Sequence, residues 1–473
     1  MALILLPLVF SLVAWFIPSA FTRLFGLLST AITLVWSIVA VCCFHADDQL
    51  YVDLGLRFVR FSIDSLSFAM ILLTNAVFLL VFLSNFTTKI VNDNKFIALA
   101  LLMQFGLIGV FTTNTILGFY IFWELTLLPI FLILYWFGSF EKPRALLQFF
   151  LYTLLGSLAM LLSVIGLMHA GNEITYEGLL AADLNSLGNT SIILMGGFLF
   201  AFAVKIPLFP FHTWQAETYT KAPVAGTMLL SAIMLKMALF GLLKWVLPIF
   251  DGVATDFWRW PIITLGLIGV VYGAVIAIRQ SDIKTLFAYA SLSHLGLIAA
   301  ALMLNDYDTN QIAVVQIVNH SIVSIGLFLA AGIIEQRLGT RLALGGDQVG
   351  QRHRGLEPLL IQALRGLVGL THLGDADITL YHDDRGQRHH GEQKRVADGQ
   401  TGQPSPDGAN QPTRHHQRHR LLAIVRLAEL SRCKAIQLSI GAVIARYHCG
   451  RHQQPEGLRQ HGKRAQGCGQ QSH

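Results

Sequence analysis

The apolar positions of this chain fall in long runs. Eleven stretches of mostly hydrophobic residues cover about 2–20, 24–44, 62–85, 96–113, 115–137, 145–169, 191–214, 222–249, 260–278, 284–304 and 311–334. A helix needs roughly 20 apolar residues to cross a bilayer. In lipid the backbone must satisfy its own hydrogen bonds, and a helix does so within one segment. The runs therefore predict an all-α, polytopic transmembrane helix bundle of about 11 spans with short connections.

The charges between the runs test this reading, because cytoplasmic loops collect Lys and Arg. With the N-terminus outside, the inner loops hold Arg23, Lys89, Lys95, Lys142, Arg144, Lys221, Arg279, Lys284, Arg337 and Arg341. The outer loops hold only Arg57, Arg60 and Arg259, together with acids such as Asp47, Asp48, Asp53, Glu173, Asp251 and Asp306. This bias supports the span count and an N-terminus outside; an integral, multi-pass protein of the bacterial inner membrane is expected. The opening Met1-Ala-Leu-Ile-Leu-Leu-Pro7 has no basic n-region, so it reads as a first span rather than a removed signal.

The seventh run contains a break. Lys205-Ile206-Pro207 interrupts Gly196–Val204, and Pro210 follows shortly after. Proline removes a backbone donor and clashes with the carbonyl four residues back, and a charge near the bilayer centre costs roughly 3 kcal/mol. Broken helices at membrane depth persist only against protein or a water-filled cavity. A discontinuous helix around Lys205–Pro207 is thus predicted, beside an ion pathway.

Composition divides the chain in two. All 31 Phe, 8 Trp and 10 Met lie before residue 341, whereas 12 of the 17 His lie after it. The segment 341–473 is a basic tail rich in His, Arg and Gln, with runs such as Arg414-His-His-Gln-Arg-His-Arg420 that cannot span a bilayer. A nucleic-acid or anionic-lipid arm and metal binding by its histidines are weaker readings than an out-of-frame translation beginning near residue 341. The domains expected are a transmembrane domain at 1–340 and a poorly ordered tail at 341–473. The five cysteines, Cys42, Cys43, Cys433, Cys449 and Cys468, have no metal-ligand spacing. No bound metal is expected.

Five ionisable residues fall deep within apolar runs: Glu124, Lys205, Lys236, His294 and His320. At a rise of 1.5 Å per residue, each lies roughly 13–21 Å from its entry interface, near the midplane. Such residues mark proton relays by default. Lys loses its charge readily when desolvated, and His titrates near neutrality. The plainer readings are a purely structural Glu124–Lys205 salt bridge, a snorkelling Lys236, and interhelical hydrogen bonds at His294 and His320. Asp64 and Lys244 lie near span ends and read as interface residues.

These segments resemble the antiporter-like subunits of proton-pumping NADH:quinone oxidoreductase (respiratory complex I), and among them the M-type. The resemblance rests on Ile63-Asp-Ser-Leu-Ser67, Phe122-Trp-Glu124-Leu-Thr-Leu-Leu-Pro129, Val204–Trp214, Ala222–Thr227, Leu235-Lys236, Asp282–Gly296 and Asn319-His320-Ser321, and covers about residues 1–341. It implies a bundle of about fourteen helices built from two inverted repeats, with Glu124 paired to Lys205 and protons passing to Lys236, extended by the histidines. It also implies a proton-translocating subunit of an NADH:ubiquinone reductase that holds no cofactor itself. NADH, FMN, iron–sulfur clusters and quinone are expected in partner subunits, beside neighbouring antiporter-like subunits and the lipid bilayer, with no nucleic acid. Gln215–Lys221 departs from the family pattern after Trp214, and the second repeat is incomplete beyond residue 341. The alternatives are a Mrp-type cation/proton antiporter subunit, an inert membrane scaffold, and a truncated non-functional product.

Overall fold

A computed structural model describes residues 2–18, 20–42, 50–53, 60–87, 93–139, 144–171 and 173–338. The basic tail from residue 341 lies outside these residues. The chain runs through α1 (Ala2–Ala14), α2 (Thr22–Cys42), β1 (Leu50–Asp53), β2 (Arg60–Ile63), α3 (Ser65–Thr87), α4 (Asn94–Thr112), α5 (Ile116–Phe137), α6 (Arg144–Gly171) and α7 (Tyr176–Ala181). A 3-10 turn, Leu184–Leu187, precedes α8 (Asn189–Lys205) and α9 (Thr213–Lys221). One further helix follows in pieces: α10 (Val224–Leu229), α11 (Lys236–Gly241) and α12 (Leu247–Ile249), joined by π turns at Leu230–Met234 and Leu242–Val246. Then come α13 (Val253–Ile278), α14 (Ile283–Leu302) and α15 (Tyr307–Leu338).

Nine helices among the described residues are long and apolar enough to cross a membrane, and α1 and α8 are shorter apolar helices. These eleven correspond to the eleven apolar runs. The antiparallel hairpin β1–β2 and the short α7 were not visible in the apolar pattern.

Helix starts follow from capping residues that accept otherwise unpaired N–H groups. The side chain of Asp64 accepts from Ser67 N at 2.8 Å, Thr115 from Gly118 N at 3.2 Å, and Asp282 from Thr285 N at 3.0 Å. The connections between spans gather at two ends. At the hairpin end, Arg60 O accepts from Asn114 N, Ile174 O accepts from Ile116 N, and Asn185 Oδ1 accepts from Val253 N. At the opposite end, Lys221 O accepts from Ser139 N, and Lys284 Nζ pairs with Glu335 at 3.3 Å. This two-ended arrangement is what alternating spans require.

Large apolar side chains such as Leu162 and Ile193, each 72% exposed, point outward. They form surface suited to lipid, while Gln104, Lys205, Lys236 and Lys284 are buried. The innermost span is the π-wound helix 224–249, of which nearly every residue is buried. Helices α13 and α14 cross at Gly266 and Gly296, where a Cβ on Gly266 would lie 2.6 Å from the Gly296 carbonyl oxygen. Small residues permit such close approach where lipid offers no hydrophobic drive to packing.

Candidate functional site

The predicted helix break is present. Helix α8 ends at Lys205, and α9 resumes only at Thr213. Pro207 has no N–H for the Ala203 carbonyl, and Leu208 N takes it instead at 2.8 Å. The Val204 carbonyl, freed by the same break, accepts the indole Nε1–H of Trp214 at 3.0 Å. Trp214 is 1% exposed, so it closes the break from inside the protein. Lys205 therefore sits in the last turn of α8, where the helix dipole favours a cation.

Lys205 is 3% exposed, and its ammonium lies 5.6 Å from the ring centre of Trp123. This is cation–π geometry, worth about 2 kcal/mol when desolvated. Glu124 is the next residue after Trp123. Among the described residues no ion pair joins Glu124 to Lys205, and Oε1 of Glu124 is buried without a hydrogen-bond partner. The side chain against the lysine is thus the neighbouring indole rather than the carboxylate.

Lys236 begins α11 two residues after the π turn Leu230–Met234 ends and is fully buried. A π turn leaves carbonyls out of the ordinary ladder and recurs at functional sites. Here the Lys236 ammonium donates to the Ser231 carbonyl, which lies inside that turn. It also lies 2.7 Å from Nδ1 of His320 on α15. The second ring nitrogen of His320 is 3.0 Å from Ser291 Oγ on α14, and Ser324 Oγ is 3.2 Å from Nδ1. His294 follows one turn after Ser291, and its ring centre lies 6.2 Å from that of His320 in an edge-to-face arrangement.

The structure thus brings Lys236, His320 and His294 into one row, with Ser231, Ser291 and Ser324 supplying intermediate oxygens. Lys205 lies on the adjoining α8, which packs on α11. A buried polar seam flanks the break, where the Tyr219 hydroxyl meets Gln215 and Ser231, and His212 meets the Pro210 backbone. Lysine and histidine exchange protons, and serine hydroxyls can pass them on, so the row is competent for proton transfer.

Sequence reasoning found the ionisable residues but not their companions. Ser291 lies one turn before His294 and could have been flagged by that spacing. Trp123 adjoins Glu124 and could have been flagged too. Asp64 and Lys244, read from the sequence as interface residues near span ends, form an ion pair that joins the start of α3 to the second π turn. Their side chains are 28% and 13% exposed.

Residues 113–344 match the NADH:quinone oxidoreductase/Mrp antiporter transmembrane family. The chain is 33% identical over 351 residues to NADH-ubiquinone oxidoreductase chain 4 of Chondrus crispus, covering 72% of this chain and 70% of that protein. The chain belongs to this family. It is also 36% identical over 296 residues to NADH-quinone oxidoreductase subunit M of Escherichia coli K12, covering 60% of this chain and 57% of that protein. Among solved structures, a chain of respiratory complex I from Thermus thermophilus with bound NADH matches with TM-score 0.69 and 28% identity, over 78% of each chain. The family is one of integral, multi-pass membrane subunits, and the helices described here have that architecture.

Proposed function

We propose that this chain is a proton-translocating membrane subunit of respiratory NADH:quinone oxidoreductase. The observation that carries this reading is the fully buried Lys236 ammonium at 2.7 Å from His320 Nδ1, continued by Ser291 and His294. Buried ionisable groups in hydrocarbon are expensive, and lining a relay accounts for them. Lys205 receives a proton, passes it to Lys236, and His320 and His294 extend the path. Glu124 acts on Lys205 through its field across Trp123 rather than through contact.

Electron transfer takes place in partner subunits, which hold NADH, FMN, iron–sulfur clusters and quinone. Neighbouring antiporter-like subunits adjoin this chain in the membrane arm. The chain lies in the bacterial inner membrane, and the charge bias of its loops supports an orientation with the N-terminus and the β1–β2 hairpin outside.

The test is NADH-linked proton pumping in vesicles containing the assembled complex. Lys205→Ala and Glu124→Ala should each strongly reduce pumping. Unchanged pumping in both would remove these residues from the path. Sodium-dependent proton exchange without NADH would instead favour the Mrp-type reading.

A further inference from the structure

The path toward Lys205 differs between the two ends of the bundle. On the side of the helix break lie the buried polar groups of His212, Gln215 and Tyr219. On the hairpin side lies a continuous column of rings. The Lys205 ammonium is 5.6 Å from the ring of Trp123, which is 5.8 Å from the ring of Phe119. Phe119 is 5.7 Å from Trp245, and Trp245 is 5.5 Å from Tyr176. The Lys244 ammonium then lies 4.4 Å from the centre of the Tyr176 ring and pairs with Asp64. Phe119, Trp123 and Trp245 are at most 4% exposed.

We propose that this aromatic column, clamped at its outer end by Asp64, Lys244 and Tyr176, is a seal that denies protons at Lys205 a route to the hairpin face. The inference rests on the proton-carrying role of Lys205 proposed above. The rings pack at tilted and edge-to-face angles, so they line this side with carbon and, apart from the Trp245 indole N–H and the Tyr176 hydroxyl, offer few groups to hand a proton along. Lys244 lies within the π turn Leu242–Val246, next to Trp245. The Asp64–Lys244 pair therefore fixes the turn that presents Trp245 to Phe119. Asp64 is itself held as the cap of α3 by Ser67 N. A pump needs such a barrier: protons loaded from one side must move along the Lys236–His320 row and not leak straight across. Asp64, Lys244 and Tyr176 are positioning residues in this scheme and carry no proton.

The test measures passive proton entry into proteoliposomes of the purified complex, driven by a potassium diffusion potential with valinomycin and read by an internal pH dye. Neither NADH nor quinone is present, so the result is separable from the role in coupled pumping. Trp245→Ala and Lys244→Met should raise the passive flux several-fold, and Lys244→Arg should return it toward the unsubstituted level. A purely structural clamp would alter assembly or thermal stability without opening a leak. If Trp245→Ala fails to assemble, the Lys244→Met and Lys244→Arg comparison decides. Unchanged flux in assembled Lys244→Met complex overturns the seal, whatever the pumping assays give.

Discussion

Nζ of Lys236 lies 2.7 Å from Nδ1 of His320, although 84 residues separate them in the chain. The contact joins the π-wound central helix to α15. Its other supports are a carbonyl inside the π turn and two serine hydroxyls on either side of the imidazole. A lysine held in this way has a defined direction in which to pass a proton.

His320→Leu is expected to interrupt that direction. The Lys236 ammonium would keep only the Ser231 carbonyl, leaving a buried charge under-satisfied at a cost of roughly 1–3 kcal/mol or more. Coupled pumping should fall about tenfold, which corresponds to a barrier raised by about 1.4 kcal/mol. His320→Gln, which keeps a polar group near Lys236, should fall less. Equal pumping in His320→Leu and the unsubstituted complex would exclude His320 from the row.

The helix break makes a separate prediction about stability. Trp214→Phe keeps an aromatic, though smaller, ring but removes the donor to the Val204 carbonyl. A buried carbonyl left unpaired costs about 1–3 kcal/mol. The thermal transition of the purified complex should fall. An unchanged transition would mean that the carbonyl finds another partner and that Trp214 does not close the break.

Close packing around His294 is testable through its neighbour. Gly296 approaches Gly266 so closely that a Cβ on Gly296 would lie 2.6 Å from the Gly266 carbonyl oxygen. Gly296→Leu should push α14 from α13, with a strain of about 1–3 kcal/mol, and displace His294. Reduced subunit content in the membrane is the expected readout. A fully assembled Gly296→Leu complex with normal pumping would show that the crossing is looser than this geometry implies.

The sequence made the spans legible because lipid imposes length and apolarity on each helix, leaving a signal in every run. The break at Lys205–Pro207 was legible for a similar reason, since proline and lysine both oppose an uninterrupted membrane helix. Pairings across the fold were not legible. Asp64 meets Lys244 across 180 residues, and no local pattern announces that contact. The π turns at Leu230–Met234 and Leu242–Val246 leave no periodicity distinguishable from an ordinary apolar helix. The side chain placed against Lys205 was not legible either. Trp123 occupies the position against Lys205, and adjacent residues on one helix point about 100° apart at 3.6 residues per turn.

Lys236→Met offers the most direct measurement, because it removes the one ammonium at the centre of the row while preserving its apolar stem. Protons moved per electron would be measured in proteoliposomes of the assembled complex, with electron transfer recorded in the same sample. The account predicts fewer protons per electron than in the unsubstituted complex, with Lys236→Arg ahead of Lys236→Met. An unchanged ratio in fully assembled Lys236→Met complex would contradict it.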